Sequence, residues 1–205
     1  MSMYELKNMN TTPAYIRSGS SGSREIRVES ELLTERCLPV YGEITDMTAV
    51  NFFMAMKYLT RSEEPINIPI YSPGGDVTAG RAIYDMMQGC KNKIRTFCIG
   101  RASSMAAVLL AAGTPGERYV LPNGEIMIHE VLTKGIGGSA TSVSKLCASI
   151  NEVRDIMNAI LAKHTGRTVE EINEATSFDN YMNAQQAIDF GICDKIVTDI
   201  FTEVK

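Results

Sequence analysis

The sequence predicts an α/β fold in a single domain with repeated strand and helix units. Three observations carry that expectation. Short apolar runs such as "INIPIYS" and "KIRTFCIG" alternate with longer stretches whose apolar residues recur at helical spacing. Turn signals such as "SPGGD" and "PNG" separate them. At 205 residues, one domain with a sizeable buried core is the natural size.

Residues 1–24, ending in "RSGSSGSR", are polar and rich in Gly and Ser and read as a flexible arm, with the folded domain over 25–205. "CLPVYG" (37–42) reads as a short strand, and Pro39 assigns it to an edge. A helix is expected from about Thr45 to Leu59, capped by Thr45 or Asp46, with Val50, Phe53, Met54 and Lys57 along one side. "INIPIYS" (66–72) is the next strand, followed by the turn "SPGGD" and a helix over "TAGRAIYDMMQGC". "KIRTFCIG" (93–100) is a strand, and "MAAVLLAAG" is a helix stopped by Gly113. "RYVLP" and "EIMIHEV" flank "NG", which signals a hairpin. A long helix over about 141–164 carries the stripe Val143, Leu146, Cys147, Ile150, Val153, Met157, Ile160 and Leu161. "TVEE" opens a short helix with a capping box, and Asn183 caps "AQQAIDFG".

Composition removes several function classes. The chain is 44% hydrophobic and 21% charged, which is ordinary for a globular protein. Its net charge of -4 and scattered Lys and Arg residues offer no basic face for nucleic acid. No run approaches the ~18 apolar residues of a membrane span. "MSMYELKNMN" lacks the basic-then-apolar layout of a secretion signal. Cys37, Cys90, Cys98, Cys147 and Cys193 are an odd set without a CxxC pair, as expected of reduced thiols in the cytoplasm. Cys98 lies inside an apolar strand and reads as buried packing. With two histidines and no HExxH or clustered carboxylates, no metal is expected.

Two turns between a strand and a helix are placed to do chemistry. In "SPGGD" consecutive glycines let backbone N–H groups face a ligand, either as an oxyanion hole or merely as a tight turn. In "GRASSMAA" a serine sits near a helix N-terminus, where the dipole favours developing negative charge. The small residues there equally serve close helix packing, and the stretch lacks the GxSxG elbow. A serine nucleophile needs a base. His164 ends the long helix, where a cation near the last carbonyls is favourable without further role. His129 ends a strand, a rigid place to hold a base, and is the better candidate. Among the acids that follow, Asp179 sits in a polar break where Phe178, Tyr181 and Met182 would shield it, and it is a candidate to orient the imidazole.

"SPGGDVTAGRAIYDMM", "GRASSMAAVLLAAG", "LPNGEIMIH", "LAKHTGRTVEEI" and "DNYMNAQQAIDFGICDKI" together resemble the ClpP family, the proteolytic subunits of Clp proteases, over about 25–197. The resemblance implies a crotonase-like fold whose protruding handle, about 130–164, joins two seven-membered rings into a chamber. It implies serine-type endopeptidase activity with Ser104 as nucleophile, His129 as general base and Asp179 as its orienting partner. The N–H groups of Gly75 and Met105 match the oxyanion hole, and "GIGGSA" matches the region that pairs with an extended substrate strand. The base acts as a neutral imidazole, so activity is expected to fall below neutral pH. No cofactor is implied in this chain; ATP is used by a separate AAA+ unfoldase of the ClpX, ClpA or ClpC type, and the sequence itself carries no Walker motif.

The sequence departs from the family pattern at three places. Phe178 stands where an Arg usually pairs across the contact between rings. Asn67 and Pro69 stand where tyrosines usually face the ATPase docking pocket. "EVLTKGIGG" lacks a common proline and is about one residue longer. These departures leave open a structural or weakly active partner in a mixed assembly with a second ClpP-type subunit. A crotonase-type acyl-CoA enzyme is a further alternative, disfavoured by the absence of a basic cluster for the CoA phosphates.

Overall fold

The computed structural model describes residues 13–19, 22–133 and 135–199, and most of the segment read as an arm lies outside them. Within it, Ala14–Gly19 (β1) pairs antiparallel with Gly22–Arg27 (β2) in a two-stranded sheet of its own. Arg17 ties this hairpin to Glu31 of the short helix Val28–Thr34 (α1) through a 2.7 Å ion pair.

The rest of the chain alternates as expected. Val40–Tyr41 (β3) is followed by helix Asp46–Leu59 (α2), strand Ile66–Ser72 (β4), helix Val77–Gly89 (α3), strand Ile94–Ser103 (β5) and helix Met105–Ala111 (α4). Arg118–Val120 (β6) and Glu125–Ile128 (β7) lead into the long helix Ala140–Thr165 (α5) and helix Val169–Thr176 (α6). Strand Asn180–Met182 (β8), helix Ala184–Phe190 (α7) and strand Lys195–Ile196 (β9) close the domain. The sheet runs β3-β4-β5-β6-β9 in parallel, with β3 on the edge that Pro39 predicts. Asn67 and Tyr71 exchange backbone bonds with the β3 side, so Pro69 between them withholds an N–H only from this short edge strand. The Oδ1 of Asn67 is buried and has no hydrogen-bond partner among the described residues.

One predicted connection is corrected. β6 and β7 do not form a hairpin: β6 pairs with residues 96–98 of β5 and β7 with residues 101–103, both parallel. A hairpin turn of the expected type needs positive φ at both central residues. Gly124 does not adopt it; instead a Cβ there would stand 2.6 Å from Val120 Cγ2. The glycine is required by close packing rather than by the turn. Gly113 is similar, since α4 ends on Ala112 in ordinary helical geometry and a Cβ on Gly113 would meet Thr96 Oγ1 at 2.6 Å.

The core also reassigns two helical faces. Thr45 caps α2 as expected, but the helix buries Phe52, Met56 and Leu59, leaving Val50, Phe53 and Met54 exposed. Along α5 only Met157, Asn158 and Leu161 are buried; Leu146 and Cys147 of the predicted stripe face outward. Apolar side chains in both helices are therefore left exposed among the described residues. α4, by contrast, is buried at all seven residues, between the sheet and helices α3 and α5. Gly80 lets α3 approach it, because a Cβ would fall 2.1 Å from Met105 Cγ.

Arg118 closes the far end of the domain. Its buried guanidinium donates to the carbonyls of Ala111, His164 and Gly191, where α4, α5 and α7 end. It also forms a two-pronged pair with Asp194, at 2.9 Å from Nε and 2.5 Å from Nη2. Burial works to raise the Asp194 carboxyl, but bonds from Arg118 and from the N–H groups of Arg118 and Gly116 hold it below its ordinary value. One cation thus serves one carbonyl at each of three helix ends.

His164 does not act as the helix-end cation that its position suggests. Burial, then the charges of Lys163 and Arg118, push its pKa from 6.5 down to about 4. Its Nε2 is 3.1 Å from Tyr84 Oη. The folded pKa lies below the unfolded one, so the unfolded chain binds the extra proton, and stability is lost as pH falls from about 6.5 to about 4. His164→Gln is expected to flatten the fall of melting temperature over this window, measured by thermal unfolding from pH 7 to pH 4. An unchanged slope would show that the imidazole does not set it.

Candidate active site

The site forms where β5 ends. Ser104 follows the last residue of β5 and precedes α4, with φ 56° and ψ −125°, a left-handed backbone that is costly for a side-chain-bearing residue. Two features hold it there. Its N–H donates to Met127 of β7 at 2.7 Å, and the next residue begins the fully buried α4. The turn exposes Oγ toward the end of β7. Ser103, by contrast, is buried within the sheet, so the adjacent serines divide into one packing residue and one displayed hydroxyl.

Strand register brings the other two candidates together. β7 and β8 pair antiparallel, with Ile126 opposite Met182, Met127 opposite Tyr181 and Ile128 opposite Asn180. The next positions on this ladder are His129 and Asp179. His129 Nε2 lies 2.8 Å from Ser104 Oγ, and Nδ1 lies 3.4 Å from Asp179 Oδ1. The imidazole is largely buried at 13% exposure, whereas the Asp179 side chain is 58% exposed. The expected shield does not form among the described residues: Tyr181 is exposed and Phe178 is 84% exposed, while Met182 is buried.

Gly75 stands on the opposite wall. It forms a parallel bridge with Ile44, in which Ile44 N–H donates to Gly74 O and Asp76 N–H donates to Ile44 O. A side chain at Gly75 would stand 2.2 Å from Ile44 O. Gly75, Ser104, Met105 and His129 all line a cleft of about 230 Å³. Its floor is apolar, from Val77, Val108, Met157 and Leu161, and the buried amide of Asn158 interrupts it. Asn158 is fixed by its Nδ2, which donates to Asn173 at 2.6 Å.

Sequence reasoning missed this floor. Val77 opens α3 and Val108 lies in α4, while Met157 and Leu161 belong to the second half of the stripe on α5, where only the turn that reaches the cleft makes them lining residues. The cysteines play no part: all five are free, and burial pushes the Cys98 thiol up to about 12. Among the described residues, no helix is long and apolar enough to cross a membrane.

A serine hydroxyl, an imidazole between it and a carboxylate, and a glycine turn beside an apolar cleft are the parts an acyl-transfer site requires. The family model described as Clp protease matches residues 20–199, which takes in every one of these elements, and the chain belongs to the Clp protease family.

Proposed function

We propose that the chain is the serine endopeptidase subunit of a Clp-type protease. The observation that carries this reading is the 2.8 Å contact between Ser104 Oγ and His129 Nε2, with Nδ1 of the same ring facing Asp179. His129 accepts the hydroxyl proton as Oγ attacks a peptide carbonyl. The tetrahedral oxyanion takes hydrogen bonds from the N–H groups of Gly75 and Met105. His129 then protonates the leaving amine. Water, deprotonated by the same ring, hydrolyses the acyl-enzyme and regenerates the serine. The apolar floor of the cleft receives an apolar substrate side chain, and the exposed 135–138 stretch offers backbone to an extended peptide.

The subunit works as an oligomer, in paired seven-membered rings that enclose a chamber in the cytoplasm. The outward apolar residues of α2 and of the first half of α5 support this, because a lone chain leaves them wet. A separate AAA+ ATPase unfolds and delivers polypeptides. The exposed Asp179 and Phe178 favour a second element of the reading: full alignment of the triad comes with assembly, including assembly with a second ClpP-type subunit.

Labelling with a fluorophosphonate, read by mass spectrometry alongside the native mass and short-peptide turnover of the same sample, tests the reading. An adduct on Ser104 in an assembly that cleaves peptide is expected. No adduct in any assembly state would leave the structural-partner alternative standing.

A further inference from the structure

The hydroxyl of Ser72 has no role in the chemistry described so far, yet it is fully buried at the end of β4, beside the oxyanion loop. Its Oγ accepts a hydrogen bond from Gly74 N–H at 3.1 Å. Pro73 between them fixes its own φ, so the Ser72 hydroxyl closes a tight turn over a residue that cannot donate. The next peptide, Gly74–Gly75, is fixed by its carbonyl, which accepts from Ile44 N–H at 2.9 Å. In a trans peptide the N–H points opposite to the carbonyl. The Ile44 bond therefore aims Gly75 N–H away from Ile44. Ser104 is close by, since a Cβ on Gly74 would stand 2.7 Å from Ser104 Cβ.

Three successive peptides are thus each held by one bond: by Ser72 Oγ, by Ile44 N–H and by Ile44 O, which accepts from Asp76. The residues joining them, Gly74 at φ 92° and Gly75 at φ 152°, have no side chain to resist rotation. Removing the Ser72 bond frees the first peptide and leaves the Gly74–Gly75 plane held from one side alone. We propose that Ser72 is a positioning residue, whose buried hydroxyl keeps Gly75 N–H aimed at the oxyanion. The inference rests on the serine peptidase reading.

The test compares assembled wild type with Ser72→Ala, Ser72→Thr and Ser72→Cys. The readouts are peptide hydrolysis, inhibition by a peptide boronic acid, whose tetrahedral adduct places an anionic oxygen at the oxyanion site, and melting temperature. Removing an oxyanion donor outright costs ~10²–10³ in kcat, so loss of its support is expected to cost about tenfold. KM is expected to stay within about twofold, with boronate affinity falling by the same factor as kcat/KM. Threonine restores both, and the weaker acceptor cysteine falls between. Should alanine fail to fold, the cysteine and threonine variants decide the matter. Wild-type kcat and boronate affinity in Ser72→Ala or Ser72→Cys overturn the inference while the peptidase reading stands. A fall in turnover with unchanged boronate affinity overturns it equally. A wild type that forms no fluorophosphonate adduct overturns the peptidase reading and the inference together.

Discussion

Replacing His129 by alanine is expected to lower kcat for peptide hydrolysis by ~10⁴-fold or more. Among the described residues, Nε2 of His129 is the side-chain hydrogen-bond partner of Ser104 Oγ, and the other histidine, His164, is bound to Tyr84 of α3. The hydroxyl left behind is a weak nucleophile at its ordinary acidity. Steady-state turnover of a fluorogenic peptide by assembled protein measures the loss, with the native mass as the control for assembly. Retention of more than about one hundredth of wild-type kcat would exclude His129 as the general base. Asp179→Ala is expected to fall short of this loss. Its carboxylate stands 3.4 Å from Nδ1 and is more than half exposed, so water competes for the ring it orients.

The second large effect concerns stability. Arg118→Met is expected to cost about 3–5 kcal/mol, the range for breaking one side of a buried ion pair. Methionine fills the alkyl space but leaves the Asp194 charge with only the backbone N–H groups of Gly116 and Arg118, and takes the donor away from the carbonyls of Ala111, His164 and Gly191. Urea unfolding at neutral pH reads the change as a shift in midpoint with unchanged slope. The double variant Arg118→Met/Asp194→Asn is expected to be more stable than Arg118→Met alone, because the unpaired charge is gone while the amide oxygen still accepts from Gly116 and Arg118 N–H. A single variant within 1 kcal/mol of wild type, as for an ordinary surface ion pair, would contradict the assignment.

The strand and helix order was legible because each element carries its own local signal. "INIPIYS" coincides with β4 to the residue, and the caps at Thr45, Thr168 and Asn183 stand where their side chains predict. Ser104 was less legible. Composition leaves Ser103 and Ser104 equivalent; the family resemblance chose Ser104, and the backbone reversal after β5 supplies the physical difference between them. His129 and Asp179 are 50 residues apart in sequence, and the ladder that makes them neighbours cannot be seen without the β7–β8 register. The false hairpin at "NG" arose because a glycine demanded by packing looks the same as one demanded by a turn. The exposed side of α2 was misread for a related reason. Both of its faces are apolar, and periodicity reports that a face is apolar without saying what covers it.

The β7–β8 ladder has a consequence for how this domain can vary. Everything from Glu130 to Ser177, including α5 and α6, is an excursion between two strands that are already paired. The excursion is closed at its root by Glu130 N–H, which donates to Thr176 O at 2.7 Å. The spacing of the imidazole and its carboxylate is therefore set by the ladder, and the length of chain between them does not enter. Only the second half of α5 packs against the core, through Met157 and Leu161 with Val153, Ile160 and Ala162 beside them. The outer half is a module on a fixed frame. Its length and surface can change without altering the strand pairing that sets His129 beside Asp179 within one chain.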